Sequence, residues 1–415
     1  MKRNVIVGQS GGPTAAINSS LAGVYRTAKD RGAKKVYGML HGIQGLLQER
    51  YIDLSEHITN ELDAELLKRT PAAYLGSCRY KLPEIHEDMG VYEKIFEILD
   101  KLDIEAFIYI GGNDSMDTIK KLSDYAIITG QTVRFIGCPK TIDNDLALTD
   151  HTPGYGSAAK YIGTSVKEII CDSFCLEYNK GLVTIIEIMG RNAGWLTGAA
   201  ALAKGEDSTG PDLIYLPELQ FDLEKFIAKI RKLLEKKSSV VVAVSEGIRT
   251  ADGKYVCELG NSVDFVDAFG HKQLSGTAAY LASFVAGEIG CKTRAIELST
   301  LQRSASHSAS RVDILEAYQV GGAAVKAADE GDTGKMVVLE RISDDPYQST
   351  TAVKDVHKIA NDEKLVPRDW VTKDGTYVTD EFVTYVKPLI QGDVSPVMVD
   401  GIPRHLYKPG FQEKL

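Results

Sequence analysis

Apolar runs of strand length alternate with amphipathic runs of helix length from the first residues of this chain, and no other feature constrains its fold as much. Residues 4–7 read as a strand, 15–30 as a helix, and 35–39 and 106–110 as further strands. The series continues through 133–137, 182–188, 213–216 and 240–244, while 223–237 repeats its apolar residues at intervals of three and four, the period of a helix. Strands and helices in alternation predict an α/β fold built on parallel sheets. The chain has 415 residues against roughly 150 for one domain, so two α/β domains are expected, with a break near Pro153-Gly154-Tyr155-Gly156. Beyond about residue 346 Asp, Lys and Pro become frequent, and Lys373-Asp374-Gly375-Thr376 reads as a hairpin turn between Trp370-Val371 and Tyr377-Val378. That stretch is expected to pack as an appendage.

Composition removes several functions. A net charge of −9 argues against general nucleic-acid binding, which rests on Lys and Arg neutralising phosphates. A small anionic ligand would then need a local basic pocket. No apolar run reaches the roughly 20 residues that span a bilayer, and Val5-Ile6-Val7 is too short for a signal-peptide core. A cytoplasmic location with no membrane partner is expected. The cysteines, Cys78, Cys138, Cys171, Cys175, Cys257 and Cys291, follow no metal-ligand spacing and read as reduced thiols, mostly packed.

In an open α/β sheet, ligands bind beyond the carboxyl ends of the strands, and chemistry-bearing residues collect there. Residues 134–145 run from a buried strand to Pro139, which is expected to turn the chain out of the sheet, and on into Lys140, Thr141, Asp143 and Asp145. In an extended loop the two aspartates share a side, so their charges repel unless a cation or a proton intervenes. One carboxylate taking a proton while the other holds a metal is the arrangement phosphoryl transfer asks for; Asp-Asn-Asp is also common turn chemistry. Gly8-Gln9-Ser10-Gly11-Gly12-Pro13-Thr14 joins a strand to a helix, where glycines permit close approach and the helix amino terminus attracts anions. It lacks the P-loop lysine and the G-x-G-x-x-G spacing, and a tight turn would look the same. Gly111-Gly112-Asn113-Asp114-Ser115 offers a second cradle with an acid inside it, which would equally serve as a helix cap. Arg191, in Met189-Gly190-Arg191, suits phosphate or hydroxyl recognition at a strand end. Glu246 either accepts sugar hydroxyls or is a solvated acid. Arg294 and Arg303, with Lys292, His307 and Arg311 nearby, supply the local basic cluster that an acidic chain needs for an anionic ligand.

Together these segments resemble the phosphofructokinase family, and within it the pyrophosphate-dependent branch, over about residues 4–313 with five motifs in family order. The resemblance implies two Rossmann-like three-layer domains with mostly parallel sheets. A phosphoryl-donor domain would take 1–154 with about 302–345, a sugar-phosphate domain 155–301, and a C-terminal extension 346–415. The implied activity is reversible transfer of a phosphoryl group from pyrophosphate to the 1-hydroxyl of fructose 6-phosphate, with Mg²⁺ as cofactor, in a homodimer or homotetramer. Asp143 would be the general base, and Thr141 and Ile142 would help hold the reacting hydroxyl. Met189, Gly190, Arg191, Glu246, Arg294, Thr300 and Arg303 would bind the sugar phosphate, and Gly11, Gly12, Gly112 and Arg79 the diphosphate. Asn113 and Asp145 would form the metal environment.

Two positions choose the donor in this resemblance. ATP-using members have glycine where this chain has Asp114 and Lys140, so Asp114 would fill the space of an ATP α-phosphate and Lys140 would stabilise departing phosphate. Two like charges about 4 Å apart at an effective dielectric of about 20 repel by about 4 kcal/mol. Three positions depart from the family. Asn113 stands where an aspartate often binds magnesium, which shifts that role toward Asp145 or water. Thr300 replaces a His or Tyr three residues before Arg303, and Leu182 stands where many members carry an arginine that crosses the subunit interface, with Lys180 the nearest stand-in. The alternatives are an ATP-dependent phosphofructokinase, a non-catalytic regulatory subunit of the same fold, and a nucleotide-binding oxidoreductase. Retention of Asp143 and Lys140 argues against the second, and the missing G-x-G-x-x-G against the third.

Overall fold

The computed structural model describes residues 1–260, 274–359 and 362–407. The alternation read from the sequence appears as two compact units. One comprises Met1–Ser157, Arg303–Glu363 and the described residues from Gln391 onward; the other comprises Ala158–Gln302 and Lys364–Ile390.

The first unit is built on a seven-stranded sheet. Its spatial order is Tyr347–Asp355, Lys335–Asp344, Arg134–Pro139, Ile104–Gly111, Asn4–Gln9, Val36–Met39 and Tyr51–Asp53. The five inner strands pair in parallel and the outermost strand at each edge is antiparallel. Alternate residues of the central strands enter different cores, as the two-residue period requires. Val5, Val7, Ile108 and Ile136 pack with the helices Ile17–Asp30 and Arg311–Glu330, and Ile6, Phe107, Tyr109 and Phe135 pack with Met89–Lys101 and Asn113–Thr129. The result is three layers, and it puts the carboxyl ends of Asn4–Gln9, Ile104–Gly111 and Arg134–Pro139 side by side. Pro139 stays in the sheet as the last paired residue of its strand, opposite Gly111. A strand end tolerates its missing N–H, so the chain leaves one residue later than expected.

The second unit holds a four-stranded parallel sheet in the order Lys292–Glu297, Leu182–Ile188, Ser239–Ser245 and Leu213–Tyr215. Val183, Ile185, Val240 and Val242 are buried together with Phe226 and Ile230 of the helix Leu223–Leu234 and Leu281 and Val285 of Thr277–Ile289. The last part of the chain is shared between the units. Tyr347–Asp355 is an edge strand of the large sheet, while the turn closed by the Val371–Val378 bridge and the helix Asp380–Val386 belong to the second unit. There Phe382 stacks on Trp195 with centroids 5.9 Å apart.

The helices Ile17–Asp30 and Arg311–Glu330 cross at backbone contact. A Cβ on Gly23 would sit 2.1 Å from Tyr318 O, and one on Gly321 would sit 2.1 Å from Ser20 O. Neither obstacle is a flexible side chain, so relief requires the helices to move apart. Gly23→Ala and Gly321→Ala are each expected to lower stability by about 1–3 kcal/mol, read as a shift in the urea midpoint. A midpoint unchanged in both variants would mean that the helices are free to separate.

Candidate active site

Three strand ends of the first unit converge on one lysine. Lys140 follows the last residue of its strand, bonds through its N–H to Gly111 O at 2.9 Å, and donates its ammonium to Gly12 O at 2.8 Å. Gly11, at φ 77°, leaves the ammonium its room: a Cβ there would lie 3.2 Å from Lys140 Nζ. A Cβ on Gly12 would lie 3.4 Å from an Arg303 guanidinium nitrogen. Only 2% of Lys140 is exposed. Burial drives its pKa down to about 8 and Arg303 pushes the same way, while Asp143 and Asp145 resist. Those four charged groups therefore share one field.

The Gly11 loop is fixed from outside by groups that motif reasoning passed over. Ser77 Oγ donates to Gly11 O at 2.6 Å, which anchors the segment carrying the exposed Arg79. Gln9 accepts from Leu75 N at 2.9 Å and donates to Asn18 at 2.9 Å; Asn18 in turn accepts from Tyr74 N and donates to Thr70 O and Ala72 O. Both amides are fully buried. The signal for them was present in the sequence: a Gln ending an apolar strand, and an Asn on the inner face of a helix, each need partners.

Beyond Lys140 the loop folds tightly. Thr141 Oγ1 accepts from Asp143 N at 3.1 Å and donates to Asp143 Oδ2 at 3.2 Å, so one hydroxyl sets both the backbone and the carboxylate of Asp143. Ile142 is buried, and Asp145 is half-buried beside the buried Leu146. The second cradle, at the start of the helix Asn113–Thr129, treats its two glycines differently. A Cβ on Gly111 would strike Ser115 Oγ at 1.9 Å, whereas one on Gly112 would meet nothing nearer than 3.7 Å. Packing thus explains Gly111 and leaves Gly112 open to a ligand. Asp114 is exposed in the first turn of that helix, where the dipole also favours an acid.

Asn113 donates to Asp362 O at 3.4 Å, while its buried Oδ1 has no hydrogen-bond partner among the described residues. Leu146 bridges to Glu363, so Asn113 and Asp145 border the same dipeptide. An orphaned amide oxygen and a carboxylate are hard donors of the kind a Mg²⁺-class cation takes. Among the described residues no three His, Cys, Asp or Glu side chains converge as a complete metal site, so such a cation would depend on bound phosphates for further ligands.

In the second unit, Met189, Gly190, Arg191 and Glu246 come together at two adjacent strand ends. Gly190, at φ 133°, donates its N–H to Glu246 Oε1 at 3.4 Å and accepts from Ser245 Oγ at 2.5 Å. A Cβ on Gly247 would lie 1.9 Å from Arg191 O, so that glycine lets the two loops touch. Gln302 Oε1 accepts from Met189 N at 3.2 Å, a role the sequence reading did not assign. Arg294 stands apart: it lies on the edge strand, level with Thr184, and pairs with Asp172 at 2.6 Å. Thr300 is exposed in the turn before the short helix Leu301–Ser304, and Arg303 belongs with Lys140 in the first unit.

Two α/β units with glycine-bearing loops at their strand ends make up the architecture, and residues 4–328 match the family described as Phosphofructokinase. The chain belongs to the phosphofructokinase family. A relative named pyrophosphate–fructose 6-phosphate 1-phosphotransferase, from Xanthomonas campestris pv. campestris, is 43% identical over 405 residues, covering 97% of this chain and 95% of its own. One of the same name from Halomonas elongata is 40% identical over 407 residues, with the same coverage of 97% and 95%. The crystal structure of a pyrophosphate-dependent phosphofructokinase from Nitrosospira multiformis superposes with a TM-score of 0.87 at 37% identity, over 97% of this chain and 95% of that one.

Glu187 lies beneath the Met189–Arg191 turn and carries a pH dependence. Its carboxylate accepts from Ala278 N at 2.8 Å at the start of the helix Thr277–Ile289, and it is 5% exposed. Burial raises its pKa from 4.5 to about 7, and Glu297 pushes the same way. The folded state holds this proton more tightly than the unfolded chain, so the resulting stability is present at pH 4.5 and lost as pH rises through about 7. Relative to Glu187→Gln, the wild type is expected to lose on the order of 2–3 kcal/mol between pH 5 and pH 8. Parallel stability curves for the two proteins would show that the carboxyl is not perturbed.

Proposed function

We propose that this chain transfers a phosphoryl group reversibly from pyrophosphate to the 1-hydroxyl of fructose 6-phosphate, giving fructose 1,6-bisphosphate and phosphate. The observation that carries the reading is Lys140: a buried ammonium at the Gly11-Gly12 turn, in the field of Asp143. A short inorganic donor brings no base or ribose for the protein to grip, so a fixed cation close to its leaving phosphate matters more than it does for a nucleotide. Asp114, exposed at the neighbouring helix start, opposes the extra phosphate of ATP.

Asp143 takes the proton from the 1-hydroxyl as its oxygen attacks the terminal phosphoryl group in line, with Thr141 and Ile142 holding the hydroxyl. Lys140 stabilises the charge that develops on the departing phosphate, and Arg79 and Arg191 neutralise the transferred group. Gly11, Gly12 and Gly112 present main-chain groups to the diphosphate. Asn113 and Asp145 would hold the divalent cation, Mg²⁺ in this reading, which neutralises phosphate charge when bound. Met189, Gly190, Glu246, Thr300 and Arg303 bind the sugar phosphate. Arg294, half-buried on an edge strand and level with the middle of its neighbour, suits a contact with another copy of the chain, consistent with a homodimer or homotetramer. No helix among the described residues is long and apolar enough to cross a membrane, and small cytoplasmic substrates fit that.

A coupled assay under Mg²⁺ is expected to give turnover of fructose 6-phosphate with pyrophosphate and little with ATP; comparable turnover with ATP would overturn the donor assignment. Asp143→Asn is expected to lower kcat by at least about 10²-fold, and near-normal turnover would remove Asp143 as the base. Lys140 is charged below about pH 8 and neutral above it. The kcat/KM for pyrophosphate should therefore fall on the alkaline side of that value. Lys140→Met should lose most of the activity together with that alkaline limb, and a limb that survives in the variant belongs to another group.

A further inference from the structure

The loop that carries Asp143 is held by a buried charge network that the reaction itself does not use. His151 is 1% exposed, with Nδ1 2.8 Å from Asp150 Oδ2 and Nε2 2.6 Å from Glu316 Oε2. Arg341 donates to Asp150 Oδ2 through Nε at 3.1 Å and through a terminal nitrogen at 3.0 Å. Glu316 Oε1 accepts from Tyr347 Oη at 2.7 Å and Ser349 Oγ at 2.6 Å. Burial alone would lower the His151 pKa, but Glu316 and Asp150 outweigh it and hold it at about 9, so the ring is an imidazolium at neutral pH. Two cations thus face two carboxylates, His151 and Glu316 buried and Asp150 and Arg341 partly so, anchored on the helix Arg311–Glu330 and on both strands of the hairpin beside it.

Stability does not require such a cluster, because well-packed apolar side chains of similar volume often do as well as a buried ion pair. What the cluster fixes is the position of one residue, and the next residues show what depends on it. Thr152 N donates to Asn144 Oδ1 at 3.1 Å, Thr152 Oγ1 donates to Thr141 O at 2.7 Å, and Thr141 N donates to Pro153 O at 3.2 Å. Asn144 is fully buried at φ 55°. Residues 141–144 and 152–153 are thus two rails of one loop. Asp143 sits on the first rail between two clipped residues, and His151 immediately precedes the second. Gly154 N then donates to Asp313 Oδ1 at 2.7 Å, which ties the end of the second rail to the same helix.

We propose that His151 is a positioning residue for the proton transfer, setting Asp143 through the Thr152 clip. This rests on the reading of Asp143 as general base. A catalytic group displaced by about 1 Å can lose on the order of 10²-fold in rate, so the loss belongs in kcat. The phosphate contacts made elsewhere keep KM in place.

The test compares wild type, His151→Leu, Thr152→Val and Thr152→Ser as full chains, with whichever phosphoryl donor the wild type uses. A wild type that prefers ATP would therefore overturn the donor assignment without affecting the comparison of variants. His151→Leu is expected to lower kcat about 10–100-fold, with both KM values within about threefold, and to speed hydrogen–deuterium exchange of a peptide spanning 140–153. Thr152→Val, which keeps the volume and loses only the clip to Thr141, should move kcat in the same direction, and Thr152→Ser should restore it. Thr152→Val decides the matter if His151→Leu does not fold. A lowered melting temperature with unchanged kcat, or KM rising while kcat holds, or a Thr152→Ser that fails to restore what Thr152→Val loses, would each overturn the proposal.

Discussion

Much of the first unit's strand-end geometry follows from keeping the charge of one lysine inside the protein. An ammonium taken out of water costs several kcal/mol unless it is paired and hydrogen-bonded. Lys140 has the Gly12 carbonyl as acceptor and two aspartates in its field. Each compensation puts a demand on the backbone. The carbonyl must point inward, which the left-handed Gly11 allows; the turn must stay closed, which Ser77, Gln9 and Asn18 enforce. Arg303 on the same cradle works against the lysine. Two cations held this close favour an incoming phosphate, which relieves their repulsion while gaining both attractions.

The opposite charges on the same loop are handled by a different device. Asp143 and Asp145 sit on a segment whose shape is set by hydroxyl and amide clips rather than by packing, since the loop core is polar: Thr141, Asn144, Thr149, His151 and Thr152 are all buried. Buried polar groups of this kind rigidify only when each is satisfied. Partners are present for Thr141, Asn144, Thr149, His151 and Thr152. A loop built this way can leave one carboxylate half-buried and accessible without letting it wander, which is what a base acting at a fixed distance requires.

Much of this was legible in the sequence, and the gaps have physical causes. Strands in a parallel sheet are buried on both faces, so their apolar runs are dense, and 182–188 was readable to the residue as Leu182–Ile188. The edge strands Tyr51–Asp53 and Tyr347–Asp355 were not, because half-exposed strands carry mixed residues that read as loop. Lys140, Asp143, Arg191 and Glu246 stood out because charge at the end of an apolar run is unusual. Gln9, Asn18, Gln302 and His151 did not, since the partners that explain them lie at sequence distances of up to 165 residues. Arg294 and Arg303 looked equivalent, nine residues apart in a basic cluster. Yet the strand places one mid-edge opposite Thr184 and the other at the Gly12 turn.

The paired glycines give the sharpest case of a motif whose letters do not share a meaning. Gly111 and Gly112 read as one phosphate cradle. Gly111 is excluded from change by Ser115, whose Oγ occupies the space of its missing Cβ, while a Cβ on Gly112 would meet only ordinary contacts, Lys140 O at 3.7 Å and Thr141 Cβ at 4.0 Å. At Gly11 and Gly12 the division is different: the first is required by its left-handed backbone and by Lys140, and the second has only the arginine tip at ordinary contact distance. A glycine kept by packing says that the fold needs it. A glycine at an ordinary φ, whose missing Cβ would meet only ordinary contacts, is not one that packing demands. Gly112 fits that description at the head of a helix whose N–H groups face anions, next to the orphaned Asn113 oxygen. In the proposed reading, that side of the motif is where the diphosphate and its cation would meet.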